Sequence, residues 1–567
     1  MSSDSDRFVF QQALEEQDNS SLFQAKRWTY VTDSSSTNGQ FSGQIQFDLN
    51  TLSSQNQWTD LSQGYIQFPV KLTIKNNDAN TNDLTASVRS ACIKDGFHNF
   101  VDSVQLVLGG STIQTSQIYT NVDTTFKVLT EWSQNELRKW GPSLGLALDD
   151  YLAKDTVTVT TDGTAQTNLA CTVNSTGATL DNVTAYHATT DGNLYNRYGG
   201  ADLMASWKNK GLKERTDFLN TDVTTTSGAS AIITNLNTKA KGNVSQTAGF
   251  AKTNFCAFYL ATVKLNMISD AVAKLPPIKN LKGYLYVNYN AATSTYTSTA
   301  TTGIPSGAMQ NSAQFGRCQP AMISRNDTHG ACSITFQSEI SGATDATLTT
   351  AKPAMTNARL TVPYYVASPE VDRALAQKKT IRYNERFVTT VPIDKLSATQ
   401  TTLTPGIMNP KRLIMLPILY GDGSSASIAG ALATPELSPL DIAGCGGSSA
   451  FATLEQLQVM VGNQPLFQQP ISMDHDMFMN EVCQIGLDGG LNYETGSGLL
   501  SQKLWNQHHK FYTVDIGRRI NGDDGASKSI QIHATNPCNL PMRLICIIWH
   551  EREIEVDTSL CVITQGV

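Results

Sequence analysis

Charge is scarce in this chain of 567 residues: Asp, Glu, Lys and Arg make up 16% of it, against roughly 25% in an average soluble protein. The polar surface must therefore come from Ser, Thr, Asn, Gln and Gly. A Thr-rich, charge-poor composition with many Gly and Asn favours strands and tight turns over helices. Apolar residues at 40% suffice for large cores and exclude a disordered chain. The length suggests three to four average domains, or equally two large β-sandwiches.

Paired cysteines are missing. Ten cysteines stand singly between Cys92 and Cys561, with no CxxC among them. This excludes zinc ribbons and thioredoxin-type motifs; free, mostly buried thiols from a reducing compartment are expected. Long apolar runs are missing too. Stretches such as 413–420 and 544–549 fall far short of the ~20 residues that span a bilayer, and they read as strands. The polar, acidic start, Met1 to Arg7, shows no secretory signal. Sequons such as those at Asn174 and Asn182 would matter only in a secreted chain.

There is no basic arm. Net charge is −7, and the first forty residues offer only Arg7, Lys26 and Arg27 as bases against six acids. Nucleic-acid binders neutralise phosphates with clustered bases. No direct sequence-specific contact with nucleic acid is expected.

Enzyme signatures fail one by one. His550-Glu551-Arg552-Glu553-Ile554 begins like the zinc-binding HExxH helix, but Ile stands where the second His belongs. In Gly522–Ser529, Ser527 occupies the place where a phosphate loop needs Gly before Lys. Gly444–Ser448 reads as loop. Adjacent His508 and His509 would point to opposite faces of a strand. Asp474-His475-Asp476 reads as a helix start capped by Asp474. Trp132 and Trp140 read as packing residues on a helix. No catalytic, cofactor-binding or metal-ligating residue is expected, and no cofactor. Paired carboxylates of a glycosidase stay open, because their spacing is spatial.

What is present is an internal repeat. Residues 101–114 and 454–467 align without a gap at a constant offset of 353. Val104, Leu106 and Leu108 alternate with Gln105 and Val107, as in a strand with one buried face. Gly109-Gly110 and Gly462-Asn463 are residue types that accept positive φ in a two-residue hairpin. The register continues through Asp123/Asp476, Phe126/Met479 and Leu129/Val482, where the spacing becomes helical. Each half therefore reads strand, turn, strand, short helix. Two weaker echoes pair 47–52 with 391–396, and Arg359–Tyr364 with Arg543–Ile548. The expected organisation is an N-terminal arm at 1–40, a first unit at 41–375 and a second at 376–567. The Thr/Ser/Asn/Gly-rich stretch at about 150–250 is expected as an exposed insertion or small added β subdomain.

With these segments the chain resembles the major capsid proteins of Polinton-like viruses and virophages, of the hexon-type lineage of double-stranded DNA viruses. Phe97–Gln114 and Phe451–Phe467 resemble the family's strand–turn–strand segment. Lys264–Asn288 is similar to a segment between two strands of its first roll, and Trp549–Asp557 to its closing strand. The resemblance implies an all-β fold with short helices: two tandem eight-stranded jelly-roll sandwiches, a double jelly roll. It also implies a homotrimer shaped as a pseudo-hexameric tile of an icosahedral shell in the virion. Its partners would be neighbouring tiles, a penton protein at the vertices and minor or cement proteins. Residues 150–250, as a surface tower, are the candidate for host-receptor contact. The competing reading is a two-domain β-sandwich that binds or cleaves glycans; a fibrous adhesin would need more than two repeats.

Overall fold

The computed structural model describes residues 23–34, 44–76 save 56, 95–148, 255–289, 357–419, 452–487, 498–517 save 508, 526–538 and 541–565, with shorter stretches between them. Eight strands form the first sandwich: β1 (Phe23–Thr32), β2 (Gln44–Asp48), β3 (Tyr65–Asn76), β4 (Val101–Leu108), β5 (Ser111–Gln114), β6 (Phe255–Lys264), β7 (Gly283–Tyr289) and β8 (Arg359–Ala367). Helices α1 (Thr120–Glu131) and α2 (Gln134–Leu144) follow β5. The second sandwich has β9 (Lys378–Ile393), β10 (Ser397–Ile407), β11 (Pro410–Leu419), β12 (Glu455–Val461), β13 (Gln464–Pro465), β14 (Tyr512–Asp515), β15 (Lys528–Asn536) and β16 (Met542–Asp557). Helix α3 (His475–Leu487) follows β13, and β17 (Val562–Gln565) pairs with the far end of β16.

The two sandwiches share one topology. In the first, one sheet runs β1-β8-β3-β6 and the other β2-β7-β4-β5; in the second the orders are β9-β16-β11-β14 and β10-β15-β12-β13. Adding eight to each strand number converts one into the other. All these pairings are antiparallel. This is the jelly roll, twice in one chain. Further short strands extend the first sheet, including Thr293–Ser298 and Cys332–Gln337.

Alternation places the core. In β15, Ile530, Ile532 and Ala534 are buried while the residues between them are less so. In β4, Val104, Leu106 and Leu108 are buried. The two hairpin turns match as the repeat requires: φ is 55° and 84° at Gly109 and Gly110, and 57° and 66° at Gly462 and Asn463.

Two sequence expectations meet a different structure. The stretch 1–40 contains β1, which pairs along β8 from Phe23/Ala367 to Thr32/Arg359. It escapes a periodicity search because it is an edge strand with its outer face open, so its aromatics lie on the wet side. The echo between 47–52 and 391–396 joins unlike strands, since Phe47 lies in β2 whereas Val391 lies in β9. Short strand ends with similar apolar spacing resemble each other without common position. Within 150–250 the structure describes two hairpins, Thr156–Thr161 with Thr164–Leu169 and Thr172–Val173 with Thr179–Leu180.

The sheets divide between the halves, but the cores do not. The first core takes in Ile381, Tyr383, Ile554, Val556, Cys561 and Ile563 from the second half. The second takes in Val122, Phe126, Val128, Leu129 and Met267 from the first.

Candidate functional site at the seam between the sandwiches

Helix α1 is the centre of the seam. A surface helix keeps a polar face for water, yet ten of the twelve residues of α1 are buried, from Thr120 to Thr130. One side meets its own sandwich: the Thr125 hydroxyl lies 2.8 Å from the His98 Nε2. The other side lies on the outer face of the β9-β16-β11 sheet. There the Trp549 indole N–H donates to Asp123 Oδ1 at 2.6 Å. Arg386 lies 3.4 Å from the other Asp123 oxygen and donates to the Thr120 hydroxyl at 3.0 Å. The Phe126 ring packs edge-on against Phe511 and Trp549, at 5.3 and 5.9 Å between centroids. Arg412 lies over both Phe126 and Trp549, and burial lowers its guanidinium to about 9. Lys127 pairs with Asp123 at 3.3 Å. Burial disfavours its charge, but Asp123, Asp270 and Glu131 outweigh this and raise its pKa.

A second polar knot lies lower on the seam. Glu385 of β9 accepts from the Thr115 amide at 3.0 Å and hydroxyl at 2.7 Å, and from Arg552 at 2.6 Å. Burial alone would raise the Glu385 pKa, but these bonds stabilise the carboxylate and bring it below its ordinary value. The Tyr383 hydroxyl donates to the Ile113 carbonyl at 2.6 Å, and the Asn384 amide donates to Asp270 at 2.7 Å. The cavity between Gln114, Lys127, Asp270 and Glu385 is about 10 Å³, room for one water and not for a substrate. The seam is a joint. Its buried ions favour one relative placement of the two sandwiches, since a shifted packing that broke a pair would leave a charge buried without its partner.

The outer face of the first sandwich is dressed differently. Trp28 and Tyr30, alternate residues of β1, are 51% and 56% exposed. Lys26 lies over the rings of Trp28 and Tyr365 at 5.3 and 5.4 Å and donates to Gln63 at 2.9 Å. Arg359 lies 4.7 Å over Tyr30. These cations cover part of the aromatic surface without burying it.

The motifs weighed in the sequence fall far apart. His550 to Ile554 lie on β16, an extended strand, so HExxH helical spacing does not arise. Asp474 caps α3 by accepting from the Met477 amide at 2.8 Å. His509 is buried just before β14; His508, Gly444–Ser448 and Gly522–Gly525 lie outside the described residues. Trp132 ends α1 and packs against the second core. Trp140, expected to pack, is 38% exposed with the Lys264 ammonium 3.1 Å from its ring centre. Cys538, Cys546 and Cys561 are free and buried. Among the described residues no group of three His, Cys, Asp or Glu could hold a metal ion, and no helix is long and apolar enough to cross a membrane. The seam residues Arg386, Arg412 and Trp549 were not singled out in the sequence. The signal available was the unbroken apolar run 544–549, which alternation does not explain and burial on both faces does.

No protein-family model matches the chain, and no curated protein matches it. Solved structures do. A chain of the cryo-EM structure of the Sputnik virophage is similar at a TM-score of 0.48 and 9% identity, covering 96% of this chain and 89% of that one. The mavirus major capsid protein gives 0.42 and 8%, covering 95% and 90%. The Faustovirus major capsid protein gives 0.41 and 10%, covering 93% and 90%.

Proposed function

We propose that this chain is the major capsid protein of a double-stranded DNA virus and does no chemistry. The observation that carries the reading is the repeated topology: two jelly rolls of identical strand order in one polypeptide, locked by a buried seam. Three such chains present six similar sandwiches, enough to close a pseudo-hexagonal ring, and one surface then solves both the contact within a chain and its approximation between chains. The ring is the tile of an icosahedral shell in the virion, assembled inside the host cell. Its partners are neighbouring tiles, a penton protein at the vertices and minor or cement proteins. The unit division near residue 375 belongs to this reading, with β1 serving the first sandwich. So does a receptor-contacting role for residues 150–250. The low charge suits broad interfaces with little to desolvate.

Negative-stain microscopy and light scattering of the purified chain test it. Hexagonal trimers, alone or as shells, are expected. A monomer that binds or cleaves glycans would establish the competing reading instead.

A further inference from the structure

The chain contains one helix in two surroundings. At the offset of 353, Asp123, Phe126 and Lys127 of α1 correspond to Asp476, Met479 and Asn480 of α3. In α1 this face is sealed against the second sandwich, and the Asp123 side chain is 1% exposed. In α3 no second sandwich covers this face: the Asp476 side chain is 91% exposed, Asn480 is exposed, and Met479 is half-buried against its own core. The faces turned to the home sandwich agree: Thr125 and Phe478 are both buried, as are Val128 and Glu481.

The receiving surface is also duplicated. The echo between Arg359 and Arg543 sets Tyr365 in the place of Trp549. The strand alongside then sets Lys26 in the place of Arg386, because Lys26 pairs with Tyr365 just as Arg386 pairs with Trp549. A cation beside an aromatic ring is therefore kept at both positions. Within the chain, the Arg386/Trp549 face is covered by α1 and accepts Asp123. The Lys26/Tyr365 face is continuous with exposed Trp28 and Tyr30.

We infer that α3 of one copy docks on the β1-β8 face of a second copy, with Asp476 against Lys26 and Met479 against the Tyr365 ring. The inference deepens the capsid reading and rests on it, naming the contact that joins chains. The occupant is a second copy for two reasons on this surface. Its charge is complementary to α3, and its layout is that of a joint which the chain already makes internally. Met in place of Phe126 suits the contact, since a thioether adapts to an aromatic ring without demanding one geometry. Donor and acceptor surfaces lie on different parts of the chain, so the contact is head-to-tail rather than two-fold, the kind of contact that the three-chain ring of the capsid reading requires.

A zero-length carbodiimide tests the pairing, because it condenses a carboxylate and an amine in contact into an amide with loss of water. Applied to the purified trimer, it should give a cross-linked peptide joining Asp476 to Lys26, found by mass spectrometry in covalent dimers and trimers but not in monomer. Asp476→Lys and Lys26→Glu should each weaken trimerisation by about 30-fold or more, and the double variant should recover most of the loss. Both residues are exposed, so each monomer should melt like the parent. A parent trimer whose single variants assemble normally would overturn this contact while leaving the capsid reading intact. A parent chain that stays monomeric under all conditions would overturn both.

Discussion

Trp549 and Asp123, 426 residues apart, meet in a 2.6 Å hydrogen bond that joins the closing strand of the second sandwich to the helix of the first. Asp123 also faces Arg386 and Lys127. One carboxylate, itself 1% exposed, thus offsets two cations.

Asp123→Ala should cost about 3–5 kcal/mol, because it leaves Arg386 buried without its counter-charge. Asp123→Asn should cost less, since an amide oxygen can still accept from the indole. Urea denaturation checks both. Equal midpoints for the parent chain and Asp123→Ala would show that the seam is not held by this ion.

Phe126→Ala should cost about 3–5 kcal/mol although Phe126 belongs to the first half, because its ring fills the second core. The loss should appear in one transition shared by the two halves. Trp58, buried in the first unit, and Trp505, buried in the second, provide fluorescence probes when each is kept as the main emitter. Coincident midpoints are expected; two well-separated transitions would contradict the interleaved cores.

Acid should loosen the protein from about pH 6.5 downward. Burial drops the His98 ring from 6.5 to about 3. Between those values the unfolded chain holds the extra proton and the folded one does not, so stability falls as pH falls. Glu385 acts in the same direction at lower pH. Its folded value lies below 4.5, so its contribution is present above that value and is lost as pH drops through the folded one. Melting temperature measured from pH 7 to 3 should decline throughout, and His98→Gln should flatten the upper part of the curve. A flat profile in the parent chain would refute the assignment.

The two turn glycines should respond unequally. A Cβ at Gly109 would stand 2.2 Å from the Cys561 carbonyl oxygen, at a φ of 55°, whereas nothing lies within 4 Å of one at Gly110. Gly109→Ala should therefore destabilise by at least about 2 kcal/mol. Gly110→Asn should cost under about 1 kcal/mol, since Asn463 holds the matching position at a φ of 66°. Thermal melts of the two variants give the comparison.

Duplex DNA should bind weakly at near-physiological salt, given the net charge of −7. A filter-binding titration that returned a submicromolar, salt-sensitive affinity would contradict this.

The sequence by itself determined the duplication and the hairpins. Alternation in Val104, Leu106 and Leu108, the turn pairs Gly109-Gly110 and Gly462-Asn463, and the cap at Asp474 are local patterns, and local patterns are written in neighbouring residues. It also contained the match of Asp123 with Asp476. Only the tertiary structure decided that one of these carboxylates is buried and the other is not. It likewise showed that β1 closes a sheet and that the two cores exchange residues. Burial of a side chain depends on what arrives from far along the chain. No window of sequence around Asp123 contains Trp549.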